Sequence, residues 1–161
     1  MTTPRALDEV VDLVADLIRF DTSNTGEPET TKGEEGCAKW VADQLAEVGY
    51  ETTYIESGQP GRGNVIARLA GDPTSTAGAL LVHCHLDVVP AEAADWSVHP
   101  FAGAIADGYI WGRGAVDMKD MAGMALALAR QFAREGTIPP RELVFAFLAD
   151  EEAGGTWGSH W

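Results

Sequence analysis

Basic residues are scarce in this sequence. Eleven lysines and arginines stand against 25 aspartates and glutamates, which gives a formal net charge of −14 at pH 7. A protein of this charge gains no electrostatic attraction to a polyanion, so the composition argues against nucleic acid or an anionic membrane as a partner. The partners that we expect are small molecules, peptides or cations.

Cysteines and long apolar runs are also rare. Cys37 and Cys84 lie far apart in different predicted elements, which excludes a C-x-x-C zinc motif and gives no sign of a disulfide framework. We expect both to be buried thiols. The N-terminus has no apolar signal core, and no run of 18 or more apolar residues follows it, so we expect a cytoplasmic protein.

The overall composition is that of a globular domain. The chain has 161 residues, of which 45% are hydrophobic, and its mean hydropathy is −0.08. These values predict one domain, or part of one, with a substantial core.

The hydrophobic periodicity predicts helices that alternate with strands. In chain order, the predicted elements are a helix at about 5–20, a helix ended by Gly49, strands at about 50–56 and 63–70, a strand over 79–84, a hairpin with strands at about 104–106 and 109–111, a long helix after Asp117, and a strand over 143–149. The run 143–149 is apolar throughout, and the run 79–84 is apolar apart from His83, which predicts strands buried on both faces. The fold class is therefore α/β, with a largely parallel or mixed central sheet.

The long helix after Asp117 has recognisable ends and an apolar stripe. Gly136 closes it, and Pro139 and Pro140 prevent its continuation. The predicted stripe consists of Met121, Met124, Ala125, Leu128 and Phe132.

A histidine and a carboxylate follow the first apolar strand. Ligand sites in open α/β sheets lie beyond the carboxyl ends of the strands, which is where His85 and Asp87 stand. Residues two apart in extended chain face the same way, so Asp87 can accept the second N–H of the imidazole and fix its tautomer. A histidine alone at this position would indicate only a local hydrogen bond.

Two acidic features make a metal site the better interpretation. Asp117 follows a glycine turn and precedes a helix, where it could bridge two cations or simply cap the helix. The run 150–152 places three acids at the end of a buried strand, where their repulsion and desolvation are costly unless a cation compensates. One glutamate can then bind metal while its neighbour takes a proton from metal-activated water. The alternative is a solvated acidic turn.

The available donors are imidazoles and carboxylates. Ligands of this kind suit zinc, manganese or cobalt, and zinc is the usual metal for hydrolysis at open sites. Strand alternation points Cys84 away from His83 and His85, which favours a core thiol over a metal ligand.

These residues resemble the dinuclear zinc metallopeptidases and deacylases that include acetylornithine deacetylase, succinyl-diaminopimelate desuccinylase, aminoacylase and carboxypeptidase S. The resemblance extends from the first helix to Gly155. Its motifs are HLDVVP at 85–90, the loop 96–101, the segment 107–119 and DEE at 150–152.

The resemblance implies a layered α/β/α zinc-peptidase-like catalytic domain and a role for each site residue. His85 binds one metal, Asp117 bridges both, Glu152 binds the other, Glu151 is the general base, and Asp87 orients His85. The implied reaction is hydrolysis of an amide or peptide bond in a small N-acyl amino acid or dipeptide-like substrate by metal-activated water. Two Zn²⁺ ions are implied, with Co²⁺ or Mn²⁺ as possible replacements.

The sequence departs from the family pattern in two places and in length. Cys84 stands where the family usually has glycine, and Asp120 stands where glycine is common. Members are more than twice as long, with a further acidic ligand, a late histidine ligand and a lid or dimerisation domain, and His160 matches neither ligand. We therefore expect residues 1–161 to be the N-terminal part of a catalytic domain, inactive alone. A homodimer of the complete protein is one possibility, and the sequence leaves the oligomeric state open.

Other interpretations stay open at this point. His83, His85 and Asp87 also resemble the opening of the metallo-β-lactamase motif, although Val88 stands where another histidine is needed. His-x-His alone resembles the first strand of the barrel amidohydrolases. Both alternatives make His83 a ligand. A third possibility is a non-catalytic truncated fragment.

Overall fold

The computed structural model describes residues 3–161. The helices are α1 (Ala6–Arg19), α2 (Glu35–Ala46) and α3 (Lys119–Glu135), and the strands are β1 (Thr52–Glu56), β2 (Gly63–Leu69), β3 (Leu80–His85), β4 (Ala104–Ala106), β5 (Tyr109–Trp111) and β6 (Leu143–Leu148). Each predicted helix and strand is present, with bounds that differ by a few residues. Within the described residues, no helix combines the length and the apolar character that a membrane span requires.

The four-stranded sheet is mixed, as predicted. Its order is β1-β2-β6-β3, in which β2 is antiparallel to both β1 and β6, whereas β3 and β6 are parallel. His85 lies directly opposite Leu148 in this register. The chain therefore leaves β3 and β6 at the same edge of the sheet, which brings residues 85–87 close to residues 150–152. The remaining strands, β4 and β5, form a separate hairpin.

The hydrophobic core lies between one face of the sheet and the three helices. Cys84, Phe145, Phe147, Val65 and Ala67 are neighbours on that face and are all buried. The helices add a second set of buried side chains, which includes Leu13, Leu17, Val41, Leu45, Leu126 and Ala129. Both cysteines belong to this core as free thiols, as predicted, and burial raises the pKa of Cys37 to about 11 and that of Cys84 to about 12.

The prediction that residues 79–84 are buried on both faces is wrong within the described residues. Leu80 and Leu81 are 48% and 56% exposed, whereas Cys84 is buried. Strand β3 is at an edge of the described sheet, and the helices cover only the face that includes Cys84. Leu81 and His83, on the other face, remain open. An apolar composition does not distinguish a strand covered on one face from a strand covered on both.

The predicted stripe on α3 is only partly correct. Ala125 is buried and Phe132 packs against the core, but the larger members are nearly half exposed, namely Met121, Met124 and Leu128. The buried face is built largely from small residues, which include Ala122, Gly123, Ala127 and Ala129, together with Leu126. These residues allow α1 to pack close to α3. Periodicity gives weight to large apolar residues and therefore misses a face built from glycine and alanine.

The close approach of α1 and α3 at Gly123 yields a stability prediction. A Cβ atom on Gly123 would lie 2.3 Å from Cγ2 of the buried, β-branched Val14, whose side chain has little freedom to move. We expect Gly123→Ala to lower the free energy of unfolding by about 1–3 kcal/mol through overpacking, although alanine favours a helix more than glycine does.

The control for Gly123 is the exposed Gly36 in α2. A Cβ atom there would lie 3.8 Å from the Phe20 ring, which is an ordinary contact. We expect Gly36→Ala to raise the free energy of unfolding, by up to about 1 kcal/mol. Urea denaturation measures both variants. A Gly123→Ala protein as stable as the Gly36→Ala protein would contradict the close packing.

Candidate metal centre

One imidazole and two carboxylates converge where β3 and β6 end. His85 is the last residue of β3, Glu152 lies in a 3-10 turn (Glu151–Ala153) just after β6, and Asp117 precedes α3. One ligand atom from each of these residues lies within 4.8 Å of the others. Two ligand atoms of a tetrahedral Zn²⁺ ion are about 3.3 Å apart, so the three side chains would have to move closer by about an ångström to hold zinc.

The His85 ring is held so that one nitrogen faces the carboxylates. Nδ1 lies 3.0 Å from the backbone carbonyl oxygen of Asp87 and 3.4 Å from its carboxylate. Nε2 lies 3.2 Å from Asp117 and 3.7 Å from Glu151. An N–H on Nδ1 that donates to Asp87 leaves the lone pair of Nε2 directed at the cluster, which is the arrangement of a metal-binding histidine.

The surroundings of His85 favour a positive charge. Burial alone would lower its pKa, but the hydrogen bonds and charge of Asp87, together with Glu151, raise the pKa to about 9. The imidazole position is therefore suited to a bound proton or, equally, to a metal cation that takes the proton's place.

Asp87 connects the histidine to the acidic turn. Its carboxylate is fully buried and accepts the backbone N–H groups of Glu151 (3.1 Å) and Glu152 (3.0 Å). Burial would raise the pKa of Asp87, but hydrogen bonds from His85, Asn24 and the Glu152 amide lower it below its usual value. Asp87 therefore stays ionised and holds the imidazole and the turn in a fixed relation.

The three acids of the 150–152 run have different surroundings. Asp150 is buried and points inward to Arg62, whereas the Glu151 side chain is 61% exposed beside the cluster. Burial raises the pKa of Glu152, and the nearby carboxylates of Asp117 and Asp87 add to this effect against the influence of His85. A cation at this place would relieve the repulsion.

Asp117 does not cap the long helix. The N-cap residue of α3 is Met118, and no side chain makes a cap hydrogen bond there. Lys119 instead anchors the start of α3, because its buried ammonium group donates to the carbonyl oxygens of Leu17 (2.9 Å) and Phe20 (2.7 Å) at the end of α1. The Asp117 carboxylate, 78% exposed, is thus available at the cluster.

A buried polar network lies below the cluster and was not predicted from the sequence. The Arg62 side chain is 3% exposed and contacts Glu34 (2.7 Å), Asp150 (3.1 Å) and the side-chain amide oxygen Oδ1 of Asn24 (3.2 Å). Asn24 in turn donates to Asp87. These residues come from segments rich in Gly, Thr and charge, a composition typical of solvated loops. The one local signal was an arginine between two glycines at the start of a strand.

Glu34 in this network yields a pH prediction. Burial raises its pKa to about 7, with Asp87 adding to the effect and Arg62 opposing it. Because this value exceeds the ordinary 4.5, the folded state binds more protons than the unfolded state between these values. The stability that Glu34 contributes is therefore fully present below pH 4.5 and is lost as the pH rises through about 7.

We therefore expect Glu34→Gln to show a smaller loss of stability than the wild type between about pH 5 and pH 8, because glutamine does not titrate. Urea unfolding at the two pH values measures the difference. The matched control is Glu35→Gln at the neighbouring position, where the side chain is 47% exposed, and this variant should keep the wild-type pH dependence. Identical pH dependence in the Glu34→Gln and wild-type proteins would contradict the effect of burial.

Two cavities flank the ligand cluster. One, of about 310 Å³, is lined by His83, His85, Asp117, Met118, Leu148, Ala149, Glu151 and Ser159. The other, of about 300 Å³, lies against residues 112–117, Val89 and Glu152. Each has room for a small molecule next to the carboxylates.

Comparisons with known proteins identify the family. The model of peptidase family M20/M25/M40 matches residues 81–161, which include all five predicted site residues. This chain therefore belongs to peptidase family M20/M25/M40. Membership confirms the resemblance inferred from the motifs and sets aside the metallo-β-lactamase and barrel amidohydrolase alternatives. The roles of the individual residues stay predictions.

Individual relatives agree with this family. Succinyl-diaminopimelate desuccinylase of Methylorubrum populi is 38% identical over 138 residues, which cover 82% of this chain and 34% of the relative. The desuccinylase of Cereibacter sphaeroides strain ATCC 17029 is 35% identical over 151 residues, which cover 92% of this chain and 36% of the relative. The chain thus spans about a third of the length of these curated relatives.

Solved structures show the same fold. Human carnosine dipeptidase 1 superposes with a TM-score of 0.77 and 26% sequence identity, covering 93% of this chain and 33% of that one. A di-peptidase from Saccharomyces cerevisiae gives a TM-score of 0.74 at 24% identity, covering 91% of this chain and 33% of that one. The α/β fold class with a mixed sheet is therefore confirmed.

Proposed function

We propose that this chain supplies part of the active site of a zinc-dependent hydrolase, which cleaves an amide or peptide bond in a small N-acyl amino acid or dipeptide-like substrate. The observation that supports this most strongly is the convergence of His85, Asp117 and Glu152 within 4.8 Å, next to the exposed carboxylate of Glu151.

The donor set fits zinc. One imidazole nitrogen and two carboxylate oxygens are donors of the kind that hold catalytic zinc. The hydrogen bond between Nδ1 of His85 and the backbone carbonyl oxygen of Asp87 orients the ring, as such hydrogen bonds usually do for metal-binding histidines. Co²⁺ and Mn²⁺ accept the same donors. The family resemblance implies two ions, one held by His85 and the other by Glu152. Both would share Asp117, and further ligands would come from outside residues 3–161.

The protein groups can perform the proton transfers of amide hydrolysis. Zinc, when bound, polarises the substrate carbonyl and lowers the pKa of water. Glu151 accepts the proton of the attacking water, since its carboxylate faces the 310 Å³ cavity with Oε2 3.7 Å from Nε2 of His85. The same carboxyl group then donates that proton to the leaving nitrogen. Asp87 keeps the His85 ring and the Glu151 backbone in place throughout.

The substrate class rests on the cavity and on the relatives. A cavity of about 310 Å³ next to the ligands suits a small molecule better than a protein chain. The relatives are named as desuccinylases and as dipeptidases, which favours acylated amino acids and dipeptides as candidates for this chain. A homodimer of the complete protein stays a prediction.

The function is tested with the complete polypeptide encoded by the gene. N-succinyl and N-acetyl amino acids and dipeptides are offered to the zinc-loaded protein, to the protein after treatment with a chelator, and to the treated protein after Zn²⁺ is restored. We expect hydrolysis of at least one compound class, its loss on chelation and its recovery with Zn²⁺. A zinc-loaded protein that cleaves none of them would favour the non-catalytic alternative.

The 161-residue polypeptide provides a comparison in the same assay. Three ligands without the rest of the site give weak and loosely held zinc, so we expect this polypeptide alone to be inactive. Full activity from it would show that residues 1–161 contain the whole catalytic apparatus.

A further inference from the structure

The side chain of Asn24 is the most highly connected group below the candidate metal centre. It is buried, and Nδ2 donates to Oδ2 of Asp87 (2.8 Å) and to Oδ1 of Asp150 (3.0 Å). Its Oδ1 accepts from the backbone N–H of Gly26 (3.0 Å), from Arg62 (3.2 Å) and from the Thr31 hydroxyl (3.3 Å). Every hydrogen-bonding atom of the amide is therefore used.

The two carboxylates that Asn24 joins control the acidic turn. Asp87 holds the backbone N–H groups of Glu151 and Glu152 and contacts the His85 ring. Asp150 accepts the backbone N–H of Trp157 (3.1 Å), on the other side of the turn. A shift of either carboxylate would therefore move the turn that contains Glu152.

The chemistry of this position requires an amide. Asp87 and Asp150 are both buried, and a group that lies between them must donate to each without adding charge. Asparagine has two N–H donors and one acceptor on a neutral side chain. Aspartate has the same shape but would place a third carboxylate next to two others, where each hydrogen bond would be replaced by repulsion.

The backbone around Asn24 is fixed independently of its side chain. The N–H of Asn24 donates to the carbonyl oxygen of Val88 (2.8 Å), and the Thr22 hydroxyl donates to the carbonyl oxygen of Leu86 (2.7 Å). A parallel bridge joins Ser23 to Val88. The segment 22–24 should therefore stay beside the end of β3 when the Asn24 side chain is changed.

We propose that Asn24 is a positioning residue for the metal centre. Its amide group donates to both Asp87 and Asp150 and so fixes the position of the Asp87 carboxylate. Through Asp87, it sets the orientation of the His85 ring and the position of Glu152. This proposal rests on the proposed metal-dependent function. Arg62 and Asn24 both contact Asp150, and Asn24 also donates to Asp87.

Zinc affinity tests this role. The dissociation constant for Zn²⁺ is measured by competition with a chromophoric chelator in the complete polypeptide, for the wild type, Asn24→Ala, Asn24→Asp and Thr25→Ala. We expect both Asn24 variants to bind Zn²⁺ roughly 10–100-fold more weakly, as is typical when an outer-shell partner is lost. The exposed Thr25 contacts only its own loop, so Thr25→Ala should bind like the wild type.

Thermal unfolding of the metal-free proteins separates positioning from general stability. If Asn24 only stabilises the fold, its variants melt at a lower temperature but bind Zn²⁺ with wild-type affinity below that temperature, and the proposal is overturned. Asn24→Asp matches the original shape, so it keeps the test decisive if Asn24→Ala does not fold.

A double-mutant cycle with Asp87→Ala tests the route of the effect. If Asn24 acts through Asp87, Asn24→Ala should change the Zn²⁺ dissociation constant by no more than about twofold in the Asp87→Ala background. Fully additive effects would contradict that route. A wild-type protein that binds no Zn²⁺ would remove the proposed function itself, whereas wild-type binding with unaffected Asn24 variants would remove only the role of Asn24.

Discussion

Glu151→Gln should lower kcat for amide hydrolysis by about 10²–10⁴-fold, the range typical of a lost general base, while zinc stays bound. Glutamine fills the same space but cannot accept the proton of the attacking water. Glu151 lies outside the group of three ligands, and its side chain is open to the cavity. Steady-state kinetics and metal analysis of the same preparation measure the two properties together.

The matched control is the same substitution one residue further along the chain. Glu152→Gln removes one of the two ligand carboxylates, so we expect it to weaken zinc binding first and to lose activity as a consequence. The two adjacent glutamates should therefore give opposite patterns of metal content. A Glu151→Gln protein that loses its zinc, or one that keeps wild-type kcat, would show that the roles of these residues are assigned incorrectly.

His85→Ala should remove zinc binding at the candidate centre. His85 supplies the only nitrogen ligand of the cluster found among residues 3–161, and the loss of a ligand costs more than the roughly 10–100-fold that the loss of an outer-shell partner costs. Equilibrium zinc binding of the variant, followed by competition with a chelator, measures the effect.

His83 offers a control on the same strand. It lies two residues before His85, faces the same cavity and is exposed, but it is not part of the ligand group. We expect His83→Ala to keep wild-type zinc affinity. The reverse result, with zinc lost in His83→Ala and kept in His85→Ala, would show that His83 is the metal ligand. The metallo-β-lactamase and barrel amidohydrolase motifs both require this.

The position of the candidate site was predictable because it depends on strand ends. The apolar runs before His85 and Asp150 indicate two strands of one sheet, and residues at the carboxyl ends of parallel strands meet at one edge. The structure confirms that these strands are parallel neighbours. Asp117 was found through its glycine turn and its place before a helix. Short-range pattern and simple topology were sufficient for these residues.

The buried polar network below the site could not be predicted from strand ends. Asn24, Arg62 and Asp150 are far apart in sequence, and each is a residue type that is usually solvated in a loop. Their burial depends on the path of the chain between elements, which periodicity does not describe. The same limit explains the stripe of α3, where a close helix contact at Gly123 buries small residues and leaves larger ones exposed.

The central claim is that His85, Asp117 and Glu152 together bind zinc. A crystal structure of the complete, zinc-loaded polypeptide, with anomalous scattering recorded at the zinc absorption edge, tests it most directly. We expect two anomalous peaks, one about 2.0–2.2 Å from Nε2 of His85 and the other at the same distance from a carboxylate oxygen of Glu152, with Asp117 bound to both. A zinc-loaded crystal with no peak between these three side chains, or with a peak bound by His83 instead of His85, would contradict the claim.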